Sequence, residues 1–173
     1  MTEHLWPLLR LQAANDKELF EAYRQVFVET YVRTSAGKAI EIFDWLKNKV
    51  IFRPGSFEHA FSESTDYRFG SSVHDVPFSK RRARHVLWIK EVLTASKGTI
   101  ERRQQYQRDS RNQLKKRRVL IVVEERYVVV LDDLTEQKTL EFISAFPADK
   151  SYLERIRKES SLMEIKNPSL NGD

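Results

Sequence analysis

Cysteine is absent from this 173-residue chain, which rules out disulfide frameworks and thiolate metal sites and fits a reducing compartment. Glycine and proline are scarce, 5 of each, so neither a loop-dominated nor a low-complexity protein is expected. There is no glycine-rich phosphate loop, which disfavours P-loop and dinucleotide-binding classes. No apolar run approaches the ~20 residues of a membrane-spanning helix. The opening MTEHLWPLLRLQAAND lacks the basic segment of a signal peptide. A soluble, cytoplasmic protein is the expectation. His4, His59, His74 and His85 show no metal-ligand spacing and no HExxH motif occurs. The acid pairs Glu124-Glu125 and Asp132-Asp133 fall at strand ends, where neighbours point to opposite faces and solvated turn positions are the simpler reading. No metal and no cofactor are expected.

The chain does have apolar residues enough for a core (40%, with 11% aromatic) and a large, unevenly spread charge. From Lys80 to Arg118 there are 14 Lys or Arg against 3 acids, a local +11 in a chain of +5, so the remainder carries −6. Positive charge gathered in one stretch points to a polyanionic partner.

The periodicities give an α+β chain: N-terminal helices packed on a small antiparallel β-sheet of about four strands, closed by a short C-terminal helix. Asn15 followed by Glu18 has capping-box spacing and opens a helix over 16–33. A second helix is expected over 35–47, with Ala39, Ile42, Phe43 and Leu46 on its inner side. Val50–Phe52 predicts a short strand, Arg53-Pro54-Gly55 a turn, and Ser56 the start of a short helix carrying His59. The polar stretch 62–77 predicts a loop. Ser79 caps a helix expected to reach Thr94, followed by a polar helix over 99–113. Val119–Val123 and Tyr127–Leu131 predict a hairpin lacking the usual glycine. The segment 138–146 alternates as a strand, with Leu140, Phe142, Ser144 and Phe146 on one side. Lys150–Lys158 predicts the last helix, and the tail from Asn167 is expected to fray. The chain divides on this reading into an N-terminal helical region (1–50), an α+β part (51–163) and a tail (164–173), most simply as one compact unit.

Lys80, Arg81, Arg82 and Arg84 crowd the start of the helix after Ser79, where the helix dipole is already positive. Cations there cost about 0.3–1 kcal/mol each when exposed, and gather into a site for an anion such as a phosphodiester. The simpler alternative pairs some with acids such as Glu58 or Glu63 and leaves the rest solvated. Arg102, Arg103, Arg108 and Arg111, with Tyr106 among them, extend a surface able to hold phosphates and stack bases. Cleaving RNA without a metal requires a base for the 2′-hydroxyl, cations for the phosphorane and an acid for the leaving oxygen. His59, this cation cluster and Ser144 supply those residue types, although each alone is more simply an ordinary core or surface residue.

Several stretches together carry a resemblance: His59 after a short strand, then FSKRRARHVLWIKEVL with Arg82-Ala83-Arg84, then a strand closing in FISAFPAD and followed by Tyr152-Leu153. They resemble the RNase-toxin superfamily that groups barnase, EndoU, colicin tRNases and RelE, in particular its phage-associated branch, over roughly 52–163. The chain departs from the pattern at Ser96-Lys97-Gly98, where a proline is usual, and at Ser144, where threonine is common. The resemblance implies a metal-independent endoribonuclease of toxin or effector type, acting by 2′-hydroxyl transesterification on the open face of the sheet and restrained by an antitoxin or immunity protein of acidic surface. It implies that His59 is the base or acid, that Arg82 stabilises the phosphate and that Ser144 orients it. Lys80, Arg81, Arg84, His85 and Tyr152 join Arg102, Arg103, Tyr106 and Arg108 as expected RNA contacts. A catalytically inactive nucleic-acid-binding module and a defence-associated interaction domain with a basic face are the alternatives.

Overall fold

A computed structural model describes residues 3–62, 78–108, 110–134 and 137–168. Asn15 caps the first helix by accepting the Glu18 amide at 2.9 Å, and α1 (Asp16–Tyr31) buries Tyr23, Phe27, Val28 and Tyr31 along one stripe. The helix expected over 35–47 does not form. That segment makes turns and the short strand β1 (Ile42–Phe43), paired with β2 (Lys49–Ile51). The Asp44 carboxylate accepts the Leu46 and Asn48 amides and so holds a tight turn, one that Lys47 completes at φ +69°. These side chain–backbone bonds compete directly with helical ones.

After β2 the expected short helix forms as α2 (Ser56–Ala60). The loop expected over 62–77 lies, beyond Ser62, outside the described residues. Ser79 does act as a cap, accepting the Arg82 amide at 3.1 Å. The helix it opens is broken, however, into one turn, α3 (Lys80–Ala83), and α4 (Trp88–Leu93). The N-terminal segment wedges against this break: the Leu9 amide donates to the Arg84 carbonyl and Trp88 Nε1 to the Pro7 carbonyl. Ala95 and Gly98, at φ +51° and +81°, then turn the chain. The φ of Gly98 favours glycine, and a Cβ there would stand 2.5 Å from Leu5 Cδ1, the end of a side chain that would have to move aside.

The remaining strands are β3 (Ile100–Arg108), β4 (Leu114–Val122), β5 (Tyr127–Leu134), β6 (Thr139–Pro147) and β7 (Ser161–Lys166), with α5 (Lys150–Lys158) between the last two. Together they form one seven-stranded sheet in the order β1-β2-β6-β5-β4-β3-β7. It is mixed, because β2 runs parallel to β6. The α+β class therefore stands, but the expectation of about four antiparallel strands beneath N-terminal helices is corrected. Two segments account for most of the difference. The polar helix expected over 99–113 is instead β3, whose backbone is satisfied by β4 on one side and β7 on the other. Segment 161–166, for which the sequence pattern suggests no element, supplies that second partner. The β4–β5 hairpin forms without glycine because Arg126 takes the left-handed conformation, φ +51°.

Each face of the sheet has its own core. The inner face packs Ile100, Leu120, Val122, Val129, Leu131 and Phe142 against α1, α2 and α4. The outer face carries a smaller cluster, in which Val119, Ile121, Val128 and Phe146 meet Leu153 and Ile156 of α5. Which face a β6 residue joins depends on one bulge. Val130 pairs with Ser144 but Leu131 with Phe142, so Ile143 is an extra residue and the alternation slips by one. Ser144 and Phe146 consequently lie on the outer face, opposite Leu140 and Phe142, and not beside them as strict alternation predicts.

Candidate active site

β2 pairs with β6 only from Thr139 to Glu141. Beyond that stretch β6 is bordered by α2 and α3. Arg82 ties the three together: its Nη1 donates to the Ala60 carbonyl at 3.1 Å, and its guanidinium lies 5.0 Å from the centre of the Phe146 ring. The side chain is nearly buried, and that cation–π contact directs it to the outer face. His59, one residue before Ala60, is half-buried. Its pKa lies below the ordinary 6.5, first because burial disfavours the imidazolium and then because the Arg117 and Arg82 charges repel it. Arg117 projects from the outer face of β4, so a neutral imidazole and two guanidiniums share one region.

Ser144 lies one pleat from Phe146 on that same face. It is 2% exposed, and its Oγ has no hydrogen-bond partner among the described residues. A buried, unmade hydroxyl bond costs about 1–3 kcal/mol, so each such group in a folded protein calls for an explanation. Next to it a charged row crosses the sheet. Arg117 Nε is 2.9 Å from Asp132 Oδ1, Asp132 pairs with Glu141, and Arg53 Nε donates to Glu141 at 2.8 Å. Burial raises the Asp132 pKa above its ordinary value; Arg117 opposes the shift and Glu141 adds to it. Past Phe146 a cleft of about 250 Å³ opens between Ser79–Arg82 and the start of α5, with Arg81, Asp149 and Tyr152 at its walls.

The sequence-predicted residues thus separate. His59, Arg82, Ser144, Arg81 and Tyr152 lie at this end of the outer face. The others lie elsewhere. Lys80 pairs with Asp16 of α1 at 2.9 Å. His85 donates from Nδ1 to the Arg81 carbonyl, stacks on Tyr127 at 5.2 Å and joins the inner side, where burial lowers its pKa. The Arg84 carbonyl is taken by the N-terminal segment. Because β3 is a strand, Arg102 and Arg103 face opposite ways: Arg102 towards Glu164, Arg103 towards Glu101 and Ser160. Tyr106 stands exposed at the far end of β3, and Arg108 closes the β3–β4 loop on the Asn112 carbonyl. The local +11 is therefore partly cancelled in space by acids from α1, β5 and β7, including the buried pair Arg118–Asp133.

The α3 turn, at 4 residues, also has little dipole to offer an anion. The cations of this end act through their own charge instead. Arg117 and Asp132 do not stand out in the sequence. Asp132 and Asp133 look like the solvated end of a strand, yet β5 continues through both and Asp133 is 8% exposed. The available signal is the Arg117-Arg118 pair in the neighbouring segment, whose two charges need partners on the two faces. Glu124 and Glu125 do lie in the β4–β5 turn, Glu124 exposed and Glu125 half-buried, but both carboxylates are also bonded. They accept the Thr99 and Leu5 amides and pin the N-terminal segment to the hairpin.

Among the described residues no group of three or more His, Asp or Glu is placed to hold a metal ion, and no helix is long and apolar enough to cross a membrane. The chain matches no protein-family model, no curated protein and no solved structure.

Proposed function

We propose that this chain is a metal-independent endoribonuclease of toxin or effector type, cleaving RNA by attack of the ribose 2′-hydroxyl on the adjacent phosphate. The observation that carries the reading is the setting of His59: an imidazole kept neutral by burial, beside Arg117 and Arg82, on the side of the sheet where the Ser144 hydroxyl has no partner among the described residues. A neutral imidazole accepts the 2′-hydroxyl proton near physiological pH. The two guanidiniums suit the charge that grows on the phosphorane, in a region where partial burial strengthens them. Ser144 donates to a non-bridging phosphate oxygen and thereby satisfies its own Oγ. As the P–O5′ bond breaks the 5′-oxygen takes its proton from solvent, and Asp132, paired with Arg117 at 2.9 Å, holds that guanidinium in place. The bonds balance: 2′-O–P forms, P–O5′ breaks, and a 2′,3′-cyclic phosphate and a 5′-hydroxyl result.

A toxin of this kind requires restraint, and a protein partner with an acidic surface fits the exposed cations near the cleft. The absence of cysteine fits a cytoplasmic setting. The test is to incubate the full chain with RNA in excess chelator and analyse the product ends. Cyclic phosphate ends, lost in His59→Ala and Arg82→Ala, are the expected result. Cleavage that survives both substitutions, or that requires a divalent ion, overturns the reading. Binding without any cleavage makes the chain a nucleic-acid-binding module instead.

A further inference from the structure

We infer that the cleft beside Arg82 is a nucleobase subsite, in which one base of a single strand stacks against Tyr152 while its neighbouring phosphate lies at Arg81 and Arg82. The inference rests on the proposed function only for the direction in which the strand continues, towards His59 and Ser144. Its own grounds are shape and lining. At about 250 Å³ the cleft falls just under the ~300–1,000 Å³ of pockets that enclose drug-sized ligands, so it takes one planar group and not an extended one. Its walls are flat. The Tyr152 ring meets Phe146 edge-on, with centroids 5.5 Å apart and planes at 79°, so the two rings form a corner. Pro147 and Ala148 add apolar surface between them.

Arg82 already lies over Phe146, and Arg81 is exposed on the opposite wall. Aromatic rings set beside guanidinium planes are the combination that stacks bases and holds their phosphates. An aliphatic ligand makes no use of the two cations, and a bare phosphate makes none of the rings. Free nucleotide and nucleic acid share this chemistry, but a strand running on towards His59 also reaches the guanidinium of Arg117, which lies beyond one nucleotide. A strand is therefore expected to bind more tightly than a monophosphate.

The experiment uses the full chain with short 2′-deoxy oligonucleotides, which bind but lack the attacking hydroxyl, and with nucleoside monophosphates, read by calorimetry and NMR shift mapping. Tyr152→Ala is expected to weaken oligonucleotide binding by about 5- to 150-fold, the range given by one base–aromatic stack, while Tyr152→Phe and Tyr152→Trp retain it. The exposed Arg81→Gln is expected to weaken binding several-fold without touching the fold. Unchanged affinity in Tyr152→Ala with the protein folded, or shifts mapping away from α5 and Arg81, overturns the subsite. Monophosphates binding as tightly as oligonucleotides overturn its assignment to a strand. RNA cleavage that is indifferent to Tyr152 sinks the subsite and leaves the ribonuclease reading. Tyr152-dependent binding with no cleavage of RNA does the reverse.

Discussion

On the inner face of the sheet Phe142 stacks on Phe52 with ring centroids 5.0 Å apart and packs against Phe27. Two residues along the same strand, on the outer face, Ser144 is just as buried, and its hydroxyl has no partner among the described residues. The inner face spends its positions on apolar contacts that α1, α2 and α4 complete. The outer face is covered by α5, and where α5 stops it carries charge, an imidazole and the Ser144 hydroxyl. A sheet with both faces alike would have needed Ile143 in register. The bulge sends the end of β6 to the other side, and so separates the part that holds the fold from the part proposed to act.

The largest effect that tests this division is on the inner face. Phe142→Ala is expected to destabilise the protein by about 3–5 kcal/mol, as for other buried aromatic truncations, with a matching drop in denaturant midpoint. Whatever fraction remains folded should cleave RNA at the normal rate per molecule. A folded Phe142→Ala protein with lost activity would mean that the two faces are not independent.

His59→Ala is the outer-face counterpart. Loss of a general base is expected to lower the cleavage rate by about 10²- to 10⁴-fold, while stability changes by no more than about 1 kcal/mol, as for most positions outside the core. Rates from single-turnover assays and a urea titration of the same protein decide it. Equal damage to both quantities would return His59 to the structural side.

The pH dependence sharpens the comparison further. His59 and His85 both have folded-state pKa values below 6.5, chiefly from burial. The unfolded chain therefore binds protons at a higher pH than the folded one does. Stability is full above about 6.5, the ordinary value for histidine, and is lost as pH falls through the lowered folded values. Removing His59 should lessen that loss but leave the part due to His85. The cleavage rate should fall over the acid range as His59 protonates, so its acid limb lies below 6.5 and disappears with His59. A limb centred above 6.5 would contradict the base role.

The sequence makes the helix caps at Asn15 and Ser79, the 127–131 and 138–146 strands and the last helix plain, because each rests on local pattern. It hides β3. Ile100 is the only apolar residue before Tyr106, and the run Arg102-Arg103-Gln104-Gln105 carries no contrast between faces, so a strand paired on both edges looks like a solvated helix. It hides β7 for the same reason, since a strand made by its neighbour has little signal of its own. His59, Arg82 and Ser144 were legible as residue types. Their placement at one end of the outer face depends on a bulge and on a short parallel pairing, neither of which leaves a mark in composition or period. Arg117 and Asp132 required the β4–β5 register.

Ser144→Ala is expected to have the smallest effect on stability, and one of opposite sign to Phe142→Ala. Removing a buried hydroxyl that has no partner among the described residues leaves the Cβ packing of an already small residue and lifts a desolvation penalty of about 1–3 kcal/mol. Part of that gain is offset by the lost volume of one oxygen atom. The thermal midpoint should therefore stay level or rise slightly, while RNA cleavage falls because the phosphate loses a donor. Ser144→Thr keeps the hydroxyl and should keep activity if its added methyl fits beside Val130, the cross-strand neighbour. A hydroxyl present only for packing predicts unchanged cleavage in Ser144→Ala. A hydroxyl kept unmade for a substrate predicts a protein that is at least as stable and less active, which is the pattern of a site whose strain is released by its ligand.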